Sequence, residues 1–145
     1  MTEDDQLLAV YNRKLIALSG EASSSRHLEN PDLRARAVSP VCGSEVEVEL
    51  KLSGDRISAF GYDIDACALT RAVVAVMARA IVGKTREDTA RAGAVLRAML
   101  QEGGAPPSGD WQDLGVLVPV KDYKARHDSV LMPFEAVEKA FDAKK

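Results

Sequence analysis

The amino-acid sequence predicts an α+β fold, a small antiparallel three-stranded sheet packed by several helices. Three observations carry this expectation. "EVEVELKL", Glu45 to Leu52, alternates strictly between charged and apolar residues, the period of a strand with one face on a core and one in water. "RARAVSPV" before it and "RISAFGYDI" after it have strand composition, and "SGD" between the last two supplies a hairpin turn. The order of the whole chain, helix, then strands, then several helices, differs from the strand–helix alternation of a parallel α/β protein. With 145 residues and 46% hydrophobic content, the chain suits one domain, 1–145, around one core.

Each element follows from local chemistry. Thr2 and Asp5 have the spacing of a capping box, and Leu7, Leu8, Tyr11, Leu15 and Leu18 recur at helical spacing. Gly20 is placed to end that helix in a left-handed conformation. The polar stretch "EASSSRHLENPD" reads as a loop, with His27 a solvated residue in it. Within "EVEVELKL", Val46, Val48, Leu50 and Leu52 face the core, and the glutamate row reads as a solvated face. A helix is expected from about Ala66 to Val82, capped by Asp65 and closed by Gly83. It is apolar nearly all round, as befits a buried central helix. "TRED", from Thr85, opens the next helix, which ends near "EGG". "APPSGDW" is a loop, and "LGVLVPV" reads equally as extended chain or a short helical turn. The last helix begins near Asp128 and shares Val130, Phe134, Val137 and Phe141 on one face. Pro133 lies too deep for a first-turn proline if Asp128 is the cap, so either the helix starts later or its first turn is bent.

Composition narrows the function. Nineteen basic and 22 acidic residues give a net charge of −3, which argues against a broad nucleic-acid-binding face. The longest apolar stretch, "ACALTRAVVAVMARAIVG", is broken by Arg71 and Arg79 and does not read as a membrane span. The acidic start "MTEDDQ" lacks the basic opening of a signal peptide, so a cytoplasmic location is expected. The two cysteines, Cys42 and Cys67, form no C-x-x-C pair, and in a reducing compartment a structural disulfide is not expected. Two buried, inert cysteines are the plain reading.

A chemical reading stands beside it. Cys67, two residues past Asp65, falls where backbone N–H groups and the positive helix end favour thiolate over thiol, although the charge of Asp65 opposes this. Cys42 lies in the Pro- and Gly-flanked turn "SPVCGSE". His127 and Asp128 add a nitrogen and an oxygen donor, and two sulfurs, an imidazole and a carboxylate make a tetrahedral zinc set or a weak iron–sulfur set. Locally, Asp128 as an N-cap with His127 as a loop residue explains the same letters. The chain has no G-x-S-x-G elbow, P-loop, G-x-G-x-x-G or H-E-x-x-H motif. A Cys67–His127 dyad is conceivable as a thiol enzyme, but nothing singles out an oxyanion hole.

Five segments in order resemble the U-type iron–sulfur cluster scaffold family, which includes IscU, the N-terminal part of NifU, and SufU. They are Tyr11 with Asn30–Pro31; "SPVCGSEVEVELKL"; "RISAFGYDIDACALTRA"; "VGKTRED"; and "RHDSVL". The resemblance covers about Tyr11 to Phe141. It implies a small antiparallel sheet packed on one side by helices. It further implies sulfur received from a cysteine desulfurase, a labile 2Fe–2S cluster or zinc as the bound species, and iron–sulfur recipient proteins as partners, with no nucleic acid and no membrane. By resemblance Cys42 and Cys67 match two of the three family cysteines, and His127 matches the family histidine where one is present. Asp128 stands where the family has its third cysteine, and Ser44 where it has an aspartate after Cys-Gly. "LVPVKDYKA" does not match the Leu-Pro-Pro-Val-Lys segment by which IscU-type members recruit a chaperone. The implied function is iron–sulfur assembly by a scaffold or sulfur acceptor, not an enzyme; the alternative is a zinc-binding or metal-free adaptor of the same fold.

Overall fold

The structure, a computed structural model, describes residues 13–22, 25–39 and 43–143. The capping box at Thr2, the apolar positions Leu7, Leu8 and Tyr11, and Pro40 and Cys42 lie outside the described residues. In chain order the elements are α1 (Arg13–Glu21), β1 (Leu33–Val38), β2 (Glu45–Ser53), β3 (Arg56–Asp65), α2 (Ala68–Ala80), α3 (Arg86–Glu102), tight 3-10 turns over Gly109–Asp122 and Lys124–Arg126, and α4 (His127–Asp142). The expected α+β architecture is present. Gly20 does not end the first helix: it lies inside α1, which runs on to Glu21.

The three strands form one antiparallel sheet in the order β1-β2-β3. Alternation decides its faces. Val46, Val48 and Leu50 are fully buried, and their cross-strand partners Ala37, Ala35 and Leu33 on β1 and Ile64, Tyr62 and Phe60 on β3 complete the apolar face. The hairpin turns at Gly54, where φ is 63°, a left-handed value that glycine adopts without a Cβ penalty.

The opposite face is not uniformly solvated, which corrects the reading of the glutamate row. Glu45 and Glu47 pair across the strand with Arg36, but Glu49 is only 2% exposed. Its carboxylate accepts the Leu28 N–H at 2.8 Å, meets Arg34 at 3.0 Å and lies 3.5 Å from His27 Nδ1. His27 therefore has a partner, although its ring stays largely exposed. The residues before β1 pair with the free edge of β3 through Arg26 and Tyr62, then cross over Gly61. A Cβ at Gly61 would sit 2.7 Å from the Arg26 carbonyl oxygen and 2.9 Å from Leu28, so only glycine lets the chain lie this close.

The helices cover the apolar face. α4 packs on β1 and β2, and α2 packs between α1 and α4. Nine of the thirteen residues of α2 are buried, which fits its apolar circumference. Thr85 and Asp88 form the expected reciprocal capping box at the start of α3, and Gly103, with φ of 69°, closes it. The undecided "LGVLVPV" is part of the 3-10 turns. Trp111, Leu114, Leu117 and Val120 are buried at intervals of three, the repeat of a 3-10 helix, and Trp111 meets Phe134 of α4 at 5.4 Å between ring centres. Among the described residues no helix is long and apolar enough to cross a membrane.

Candidate functional site

The site is built where the mouth of α2, the loop between β1 and β2, and the first turn of α4 meet. Cys67 is itself the N-cap of α2, in extended backbone conformation, and not a residue of its first turn. Asp65, expected as the cap, is the exposed last residue of β3. The thiol is free and half-buried, so the plain reading of a fully buried cysteine does not hold for it. Cys42 lies outside the described residues. The loop that carries it is closed by Ser39 donating its N–H to the Ser44 carbonyl at 2.8 Å and by Gly43 donating to Ser39 at 3.0 Å.

Two hydroxyl groups tie Cys67 to its neighbours. The Cys67 N–H, one of the helix-end donors without an intrahelical partner, donates to Ser44 Oγ at 3.1 Å. On the other side, Cys67 Sγ lies 3.6 Å from Thr70 Oγ1, which donates to the Ser129 carbonyl at 2.9 Å. That second bond has a covalent cause. Pro133 lies inside α4 and has no N–H, so the Ser129 carbonyl lacks its usual donor four residues on. Thr70, fully buried on α2, donates to that carbonyl. The helix thus starts at His127, as expected near Asp128, and keeps its proline seven residues in.

His127 and Asp128 are the first two residues of α4. His127 is buried, not a loop bystander, and its Nε2 lies 3.2 Å from the Val120 carbonyl oxygen and 3.1 Å from that of Lys121. A neutral ring in this position donates Nε2–H to the carbonyls and keeps its lone pair on Nδ1. Asp128 is exposed, and it is not the N-cap: Arg126 occupies that position, with no side-chain capping bond. Its carboxylate still lies in the first turn, where the helix dipole favours negative charge. Among the described residues, no three His, Cys, Asp or Glu side chains are gathered closely enough to hold a metal ion. Cys67, His127 and Asp128 therefore belong to adjoining elements without forming a closed cluster of their own.

Sequence reasoning missed Ser44 as a partner of the Cys67 backbone and Thr70 as a partner of its sulfur. A signal for Thr70 was present. Pro133 withholds the usual N–H from the Ser129 carbonyl, and Thr70 is a hydroxyl residue among the apolar positions of α2, three after Cys67.

No family model matches the chain. It is 27% identical over 100 residues to the zinc-dependent sulfurtransferase SufU of Bacillus subtilis (strain 168), covering 69% of this chain and 68% of the relative. The crystal structure of a nitrogen-fixing NifU-like protein (N-terminal) from Brucella abortus superposes with a TM-score of 0.88 at 35% identity, over 94% of this chain and 95% of that one. A SUF-system iron–sulfur cluster assembly scaffold from Fervidobacterium islandicum AW-1 shares the fold, with a TM-score of 0.82 at 23% identity over 91% of this chain and 96% of that one. With this fold shared over nearly the whole of both chains at 35% identity, the chain belongs to the U-type iron–sulfur cluster scaffold family.

Proposed function

We propose that this protein works in iron–sulfur cluster assembly, accepting sulfur from a cysteine desulfurase and holding zinc or a labile iron–sulfur unit for recipient proteins. Its donors are Cys42, Cys67, His127 and Asp128. The observation that carries this reading is the position of Cys67, tied through Ser44 to the loop that bears Cys42 and through Thr70 to the first turn of α4. A half-buried sulfur and an exposed carboxylate are both reachable by a cargo from solvent, and Nδ1 is the nitrogen that His127 has left to offer. Zinc, when bound, keeps the sulfurs as thiolates.

Sulfur acceptance needs only the chain's own thiol. The Cys67 thiolate attacks the outer sulfur of a desulfurase persulfide. A new S–S bond forms on Cys67, the donor's S–S bond breaks, and the electron pair leaves on the desulfurase thiolate. The chain is then an acceptor and carrier; the name of the Bacillus relative, a sulfurtransferase, supports the sulfur step. Free thiols of this kind suit a reducing cytoplasm. One observation favours a second reading, a zinc-binding or metal-free adaptor. Asp128 places a carboxylate where the family has a third sulfur, and oxygen donors suit harder metals than a cluster's iron.

The deciding experiment is anaerobic addition of iron and sulfide to the full chain, with metal analysis of protein purified without chelator. Visible absorption that is lost in Cys42→Ala and in Cys67→Ala supports the scaffold. A colourless product overturns it, and zinc in that same colourless protein supports the adaptor.

A further inference from the structure

We infer that Thr70 is a positioning residue that holds the Cys67 thiol in its metal-free state and so makes the site release its cargo more readily. The inference deepens the proposed function, since it rests on Cys67 as a cargo-binding sulfur. The argument is a count of protons. A threonine hydroxyl has one proton to give and lone pairs to receive. Thr70 gives its proton to the Ser129 carbonyl at 2.9 Å, the carbonyl to which Pro133, four residues on, has no N–H to offer. The lone pairs of Thr70 Oγ1 are what remains to face Cys67 Sγ at 3.6 Å. A thiol can donate into those lone pairs, whereas a metal-bound thiolate has no proton to offer them. When a metal takes the sulfur, the S–H bond breaks, the proton passes to water, and the S–H···O contact to Thr70 is lost.

The contact therefore stabilises the empty site alone. Pro133 enforces this from the far helix. With an N–H at position 133 to serve the Ser129 carbonyl, the Thr70 hydroxyl could turn and donate to the sulfur, favouring the bound state instead. The first turn of α4, which carries Asp128, and the mouth of α2, which carries Cys67, are thereby joined through one hydroxyl.

The test uses the full chain and its Thr70→Val, Thr70→Ser and Pro133→Ala variants. Two readings are taken: the Raman S–H stretch of the chelator-treated protein, and the zinc dissociation constant by chelator competition. In Thr70→Val the Cys67 S–H band moves to higher frequency, as for a thiol without an acceptor, and zinc binds roughly three- to tenfold more tightly, the worth of one hydrogen bond. Thr70→Ser keeps both readings at the wild-type value. Pro133→Ala also tightens zinc binding while leaving the Thr70 side chain in place, so the inference stays testable if Thr70→Val fails to fold. An unmoved S–H band in Thr70→Val overturns the inference, and so does weaker zinc binding, the sign of a purely structural role. If the wild-type chain binds no zinc, the metal reading fails on its own, and the Raman band still decides the hydrogen bond.

Discussion

The carboxylate of Glu49 accepts the backbone N–H of Leu28 at 2.8 Å, and this bond holds the chain before β1 down on the outer face of the sheet. Burial acts to raise the Glu49 pKa. The Leu28 N–H, the His27 hydrogen bond and the Arg34 charge outweigh it and hold the group below its ordinary 4.5. A lowered carboxylate stabilises the fold above its unfolded pKa, and that stabilisation is lost as pH falls through the folded value. Glu49→Gln is expected to lose about 1–2 kcal/mol at pH 7, where the charged acceptor is lost, and much less at acid pH. Urea unfolding at neutral and acid pH checks this; parallel pH profiles for the two proteins would show that Glu49 is not the source.

Gly61 permits the same crossing from the other strand. Gly61→Ala drives a Cβ into the Arg26 carbonyl and Leu28, so it should cost about 1–3 kcal/mol and loosen the segment around Leu28. Limited proteolysis should then cut near residues 25–28 before the rest of the chain opens. An unchanged cleavage pattern and an unchanged urea midpoint would contradict the close approach.

The capping box at α3 predicts a local effect. In the folded chain, the backbone N–H of Thr85 is the largest cause holding Asp88 below its ordinary value, with the Thr85 hydroxyl next. Thr85→Ala removes the hydroxyl that accepts from the Asp88 N–H at 3.1 Å and should cost about 1 kcal/mol. Calorimetry reads it as a lowered melting temperature, while any zinc binding at the proposed site, which Thr85 does not touch, stays as in the parent.

Asp128→Cys gives the proposed site a third sulfur. Because iron–sulfur units prefer thiolates to carboxylates, the variant should retain more cluster per chain after anaerobic reconstitution and lose it more slowly on exposure to air. Visible absorption followed over time measures both. Equal yield and equal decay would indicate that position 128 does not touch the cargo.

Much of this was written locally. The alternation of β2 told which side chains point together, and Thr85 with Asp88 announced the start of α3. The 3-10 turns were legible too, in the spacing of Trp111, Leu114, Leu117 and Val120, though that repeat is easily missed beside those of helix and strand. Gly20 misled because a glycine near a helix end is only permitted, not compelled, to turn left-handed. Asp65 misled because a cap is decided by where the strand lets go of its last pair, and Asp65 still pairs with Glu45.

By itself the sequence determined the α+β class, the strand faces, the central apolar helix and the order of the candidate donors, because each rests on contacts between near neighbours. Tertiary structure alone decided that Glu49 is buried, since alternation assigns a face but not what later crosses it. It also decided that Thr70 serves a carbonyl on another helix. A proline states that a hydrogen bond is missing; only the packing of α2 against α4 states who supplies it, and that brought a hydroxyl to the Cys67 sulfur.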